Sequence, residues 1–264
     1  MDNLIVCADD FGLTKSVNTA IIDIHKIGNL NYTSLMVNMP GTKEAINLSK
    51  EYKSLNVGLH FNITEGISIV GRSTLTDENS KFFNRKTLIK KIFLNKIKKN
   101  DILNEFNEQL KVLKINNINT HTIDSHQHVH IIPYIFNIIY IELIKNNLSI
   151  RSCYTDMRYT KKKYKHILTN LLLYSKKNNK IFRNSNLTSV HHIGRILEFD
   201  DYKNLKKIIK TNNIKPLELM IHPYINSKDL KFLYGKEYIN KINFFNICFK
   251  EYSVLSKINI FDLY

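Results

Sequence analysis

The sequence predicts an α/β protein, a single-domain, irregular (β/α) barrel of TIM-barrel-like form over residues 1–264. Three observations carry that prediction. Short apolar segments alternate with longer amphipathic ones from end to end. About eight strand candidates fit the length, as a barrel of this class needs. Several apolar strands run into acids or histidines, and parallel α/β folds keep their active sites at that end of their strands. A doubly wound open sheet is the alternative architecture.

In chain order, the first strand spans Asn3–Ala8. The helix after it starts from Ser16 as N-cap and places Val17, Ala20, Ile21, Ile24 and Ile27 on one face. It stops before Gly28. A strand at Thr33–Met39, a helix at Lys43–Glu51 and a strand at Asn56–Ile63 follow. Residues 64–85, with Gly66, Gly71 and several Ser, Thr and Asn, read as a long functional or surface loop. Helices come next near Lys86–Leu94 and Ile102–Leu113, the second repeating Leu103, Phe106, Leu110 and Leu113 at helical spacing. The remaining strands are Thr120–Gln127, Ser149–Cys153, Val190–Ile193, Pro216–His222 and Ile258–Leu263. Helices at Tyr134–Lys145, Lys163–Ser175, Tyr202–Lys210 and Ile239–Ser256 lie among them.

Composition narrows the function. A hydrophobic content of 43% supports a buried core and argues against disorder. The three cysteines, Cys7, Cys153 and Cys248, form no CxxC pair, which fits a reducing compartment. The opening MDNLIVCADDFG has no secretory-leader pattern, and no apolar run approaches the roughly 18 residues of a membrane span. A cytoplasmic protein with no membrane partner is expected. The net charge of +16 comes from lysines spread along a chain saturated with Ile, Asn and Lys, without zinc-finger spacing or an arginine–aromatic platform. Solvated helix faces explain it better than a nucleic-acid partner. G-x-S-x-G, P-loop and G-x-G-x-x-G signatures are all absent.

The polar residues collect at four strand ends. Leu4 to Ala8 runs into Asp9-Asp10, Val57-Gly58-Leu59 into His60, Thr122-Ile123 into Asp124-Ser125-His126, and Leu219-Met220-Ile221 into His222. Alternation along a strand sets Gly58, His60 and Asn62 inward, opposite Leu59 and Phe61. It likewise sets Glu218, Met220 and His222 inward, opposite Leu219 and Ile221. Asp124, His126, His128 and His130 share one parity, and the strand is expected to end near His126. Two imidazoles and one carboxylate suit a hydrolytic divalent-metal site, with Zn²⁺ favoured by the mixed N/O donors. The Asp9-Asp10 pair offers one acid to ligate and one to act as base, both reaching the rim where the backbone turns. Glu218 reads as a buried, paired charge and Cys7 as core. His25, His166, His191 and His192 read as structural or surface residues. Arg195, just after a strand, is a weak candidate for substrate binding.

Four stretches carry a resemblance. ADDFGLTKSVNTAI at 8–21, VGLHFNITEG at 57–66, THTIDSHQHVH at 120–130 and ELMIHPY at 218–224 resemble, in order and spacing, the motifs of the YdjC-like carbohydrate deacetylases, the family of chitooligosaccharide deacetylase. That resemblance implies an irregular (β/α) barrel related to polysaccharide deacetylases, which hydrolyse the N-acetyl group of acetylated sugars with one divalent metal ion. It implies Asp10, His60 and His126 as metal ligands, Asp9 as catalytic base and His222 as the group assisting the leaving amine. The family's metal is Mg²⁺, whereas the two-histidine set points to Zn²⁺ or Co²⁺. His128 and Asp124 would orient a ligand imidazole, and Asn62 and the 64–85 loop would touch the sugar. Tyr224 stands where the family often has a small residue, a change expected to reshape the sugar pocket. The expected partner is an N-acetylated sugar, and a homodimer is the base-rate expectation for assembly. A hydrolase of phosphoesters or cyclic amides, or a basic nucleic-acid-binding protein, are the competing functions.

Overall fold

The computed structural model of the chain describes residues 4–152, 189–195, 206, 207, 210, 217–225 and 228–257, with backbone alone for 189–195. Seven parallel strands form a closed barrel: β1 (Leu4–Phe11), β2 (Tyr32–Leu35), β3 (Asn56–Phe61), β4 (Thr122–Ser125), β5 (Ser149–Arg151), β6 (Ser189–Arg195) and β7 (Leu217–Ile221). Each strand pairs with the next, and β7 returns to β1 in register from Leu4↔Leu217 to Ala8↔Ile221. The ring therefore closes with seven described strands, one fewer than the sequence suggests. The expected strand Ile258–Leu263 and helix Lys163–Ser175 lie outside the described residues, as does most of Tyr202–Lys210.

The helices among the described residues are α1 (Lys15–Lys26), α2 (Thr42–Glu51), α3 (Arg85–Phe93), α4 (Lys99–Ile115), α5 (Pro133–Lys145), α6 (Lys228–Tyr234) and α7 (Tyr238–Leu255). None is long and apolar enough to cross a membrane. Thr14, not Ser16, caps α1: its backbone is extended, and its hydroxyl oxygen accepts from the Val17 N–H at 3.4 Å. Ser16 falls in the first helical turn instead. Its hydroxyl and N–H donate to the two carboxylate oxygens of Asp229 at 2.5 and 2.8 Å, which ties α1 to α6.

Strand alternation is as the pattern requires. Leu59 and Phe61 face outward into the core, where Phe61 meets Phe106 of α4 edge-on at 5.2 Å. Gly58 faces the barrel interior beside β4, where an added Cβ would stand 2.5 Å from Thr122 Oγ1. On its apolar face α4 buries Ile102, Phe106, Leu110 and Leu113, while Leu103 is only half-buried. It also buries Glu105 and Gln109, which fasten the 64–85 segment. Glu105 accepts from the Ser68 hydroxyl at 2.5 Å and from the Ile69 and Val70 N–H groups. Gln109 exchanges two hydrogen bonds with the Asn62 backbone at 2.6 and 3.1 Å. That segment holds only two isolated bridges, Ile67↔Lys81 and Thr76↔Phe82, so side-chain anchors of this kind fix its course.

Candidate active site

The site begins with a defect in β1. Pairing with β2 shifts register between Ala8 and Phe11, and Asp10 adopts a left-handed φ of 66°, a conformation Asp tolerates better than most residues. The bulge turns two consecutive carboxylates into the barrel mouth, where strict alternation would send one outward. Gly12 follows at φ 91°, and a Cβ there would lie 2.5 Å from the Met36 carbonyl oxygen, so the close approach to the β2 side requires glycine.

At the rim Asp10 meets two imidazoles. Its Oδ1 is 2.9 Å from His126 Nδ1 and 3.3 Å from His60 Nε2. The opposite atom of each of these side chains is engaged elsewhere. His60 Nδ1 lies 2.5 Å from Asp124 Oδ1 and 3.0 Å from Ser34 Oγ. His126 Nε2 lies 2.8 Å from Glu65 Oε2, and the Tyr224 hydroxyl donates to Asp10 Oδ2 at 2.8 Å. Three potential ligand atoms, one oxygen and two nitrogens, are thereby left facing one another, all within 4.8 Å. This donor set, with each imidazole backed by a carboxylate, fits a divalent cation. Burial would depress both imidazoles, yet Asp124 holds His60 up at about 10 and Asp10 holds His126 up at about 9. The cluster attracts positive charge, and a cation at these atoms would displace protons.

Beneath the rim lies a second carboxylate group that already has its cation. Arg151, at the end of β5, is 2% exposed. Its Nη1 and Nη2 donate to Asp9 Oδ2 and Oδ1 at 2.7 Å each, a bidentate pair. Its Nη2 also reaches Asp124 Oδ2 at 2.5 Å, and its Nε donates to Glu218 Oε1 at 2.5 Å. Burial works to raise the Asp9 carboxyl, but the Arg151 charge outweighs it and holds Asp9 far below the usual carboxylate range. His222, following β7, places Nε2 3.8 Å from Asp9 Oδ2, and its backbone N–H donates to Glu251 Oε2 at 2.9 Å. Glu65 opens to a cleft of about 730 Å³, lined also by Asp77, Lys81, Phe82, Phe83 and Tyr234.

A protein-family model described as YdjC-like protein matches residues 3–245. The chain belongs to that family. Among curated relatives it is 32% identical to a carbohydrate deacetylase of Clostridium beijerinckii over 262 residues, 92% of this chain and 96% of the relative. It is 35% identical to a chitooligosaccharide deacetylase of Yersinia pestis over 150 residues, 56% of this chain and 58% of the relative. Among solved structures it is similar in fold to an Enterococcus faecalis V583 protein assigned provisionally to cellobiose-phosphate cleavage. That likeness has a TM-score of 0.74 and 19% identity, and covers 99% of this chain and 93% of the other.

Within this YdjC-like barrel, the structure brings Asp9, Asp10, His60, His126 and His222 to one mouth, and Asp124 backs His60. β4 ends at Ser125, a 3-10 turn over His126–Ile131 follows, and within it His128 packs edge-on against His130. Two expectations need correction. Asn62 is fully buried, its amide NH₂ donating to Asn38 Oδ1 and Glu65 O and its Oδ1 accepting from Thr64 and Glu65 N–H. It shapes the turn before Glu65 rather than touching a sugar. Tyr224 is 1% exposed and bonds Asp10, so it backs a candidate ligand rather than walling the pocket. Cys7 is buried as expected, where it also borders the interior cavity beside Arg151 and Glu218. Glu218 is the paired buried charge the sequence suggests, and Arg151 and Glu65 are additional members of the site.

Proposed function

We propose that the chain is a metal-dependent carbohydrate deacetylase that hydrolyses the N-acetyl group of acetylated amino sugars or short oligosaccharides such as diacetylchitobiose, releasing acetate. The observation that carries this reading is the juxtaposition of a two-histidine, one-carboxylate cluster with Asp9 and His222 at the mouth of a YdjC-like barrel. A divalent cation bound by Asp10, His60 and His126 would supply Lewis-acid polarisation of the acetamide carbonyl and a more acidic water. Two imidazoles with one carboxylate suit Zn²⁺ or Co²⁺ better than Mg²⁺, which takes oxygen ligands.

The protein's own groups divide the proton work. Asp9, kept ionised and fixed in orientation by the Arg151 fork, takes a proton from the attacking water as the new C–O bond forms. His222 gives a proton to the sugar nitrogen as the C–N bond breaks, because an amide nitrogen leaves poorly as an anion. The proton passes from Asp9 to His222 once the 3.8 Å between Oδ2 and Nε2 closes to hydrogen-bond distance, and the products are acetate and a free amine. The sugar lies in the cleft beside Glu65, which Asp77, Lys81, Phe83 and Tyr234 also line. The reading includes one domain, a cytoplasmic site of action and a homodimer.

The test is acetate release from N,N′-diacetylchitobiose by metal-stripped protein, with Zn²⁺, Co²⁺, Mg²⁺ or Mn²⁺ restored singly. Release that returns with a metal supports the reading. Metal binding without release from this or other acetylated amino sugars contradicts it.

A further inference from the structure

We propose that Tyr224 is a positioning residue for the metal centre: its hydroxyl fixes the Asp10 carboxylate so that Oδ1 alone is presented to the cation, and thereby sets metal affinity. This rests on the reading of Asp10, His60 and His126 as ligands. A carboxylate on a bulged strand can rotate, offer either oxygen or offer both. Here the Tyr224 O–H occupies Oδ2 at 2.8 Å, on the side away from the two imidazoles that meet Oδ1. Ligand affinity depends on such partners, whose loss typically weakens metal binding by about 10–100-fold.

The tyrosine is itself held. Its ring is 1% exposed and packs against three aromatic rings of α7, with centroids 5.7 Å from Phe245 and 6.4 Å from both Phe244 and Phe249. Two residues earlier the backbone is fixed by the Glu251 carboxylate, also on α7. The segment after β7 thus sends His222 toward Asp9 and Tyr224 toward Asp10, addressing the two consecutive acids of β1 separately.

Tyr224→Phe removes the hydroxyl and keeps the packed ring. Its Zn²⁺ dissociation constant, measured by competition with a chromophoric chelator, should rise about 10–100-fold over wild type. The Zn²⁺ concentration that half-restores acetate release should shift by the same factor, while KM for the sugar stays near the wild-type value. The melting temperature of the metal-free variant reports whether the ring alone keeps the fold, and Tyr224→Leu, which loses the ring too, should melt lower than Tyr224→Phe. A Zn²⁺ affinity for Tyr224→Phe within about twofold of wild type, against the loss expected for such partners, would overturn the proposal and leave the ligand assignment standing. Wild-type protein that binds no Zn²⁺ would overturn both. Zn²⁺ binding without acetate release would sink the deacetylase reading while the affinity comparison still decides the role of Tyr224.

Discussion

Asp9 and Asp10 are neighbours in sequence but answer to different partners, Arg151 and a pair of histidines, with Asp124 touching both groups. Below the rim, Asp9, Asp124 and Glu218 surround Arg151, a permanent cation built into the end of β5. At the rim, Asp10 and Glu65 flank His60 and His126, whose charge is exchangeable. Beside Arg151 the lower group borders a cavity of about 20 Å³, room for about one water. The upper group adjoins the cleft through Glu65. Charges buried without a partner are costly, so each group needs a cation. One group carries its own; the other is suited to accept one from solution. Separating two adjacent carboxylates in this way depends on the bulge and the left-handed Asp10 backbone.

Substitutions can break the comparison on either side. The largest effects fall on turnover. Asp9→Asn should lower acetate release by about 10²–10⁴-fold, and excess Zn²⁺ should not restore it. His126→Ala should lose activity to a similar degree, with partial recovery as Zn²⁺ is raised. Equal rescue of both variants would erase the distinction between the two groups. Next in size, Arg151→Met leaves three buried carboxylates without their cation and should cost about 3–5 kcal/mol in denaturant unfolding. An unfolding midpoint close to wild type would show that the lower group does not depend on Arg151.

A smaller effect sharpens the picture of the shared cation. Burial, only partly offset by Arg151, raises the Glu218 carboxyl to about 7. With the folded value above the ordinary one, folding takes up a proton, and stability from this group is present at low pH and lost as pH rises through 7. Glu218→Gln does not titrate, so its melting temperature relative to wild type should rise by a few degrees between pH 5 and pH 8. A difference that stays flat, or falls, would mean that Glu218 is ionised in the folded protein.

Much of the rim was legible because an apolar strand running into a polar residue is a local pattern, as in Ala8-Asp9-Asp10, Leu59-His60 and Ile123-Asp124. Alternation then gave the inward direction of His60 and Glu218. Arg151 offers only a weak local signal, one charged residue ending a three-residue strand. Its partners lie 142 positions away at Asp9 and 67 away at Glu218, and barrel closure alone brings them together. Glu65 sits inside a recognisable motif but beyond the end of β3, where period-two reasoning no longer gives direction. Asn62 misleads for the same reason: the strand ends at Phe61, and the next side chain turns to hold the loop. Tyr224 reads as a pocket change until the fold shows it packed between α7 and Asp10.

The two acids of β1 allow the most direct test of the division between the group that holds Arg151 and the group suited to a metal ion. Wild type, Asp9→Asn and Asp10→Asn, each stripped of metal and dialysed against Zn²⁺, can be compared by elemental analysis. Wild type and Asp9→Asn should each retain one Zn²⁺ per chain, and Asp10→Asn should retain none. Retention by Asp10→Asn together with loss from Asp9→Asn would place the ion in the lower group and contradict the assignment.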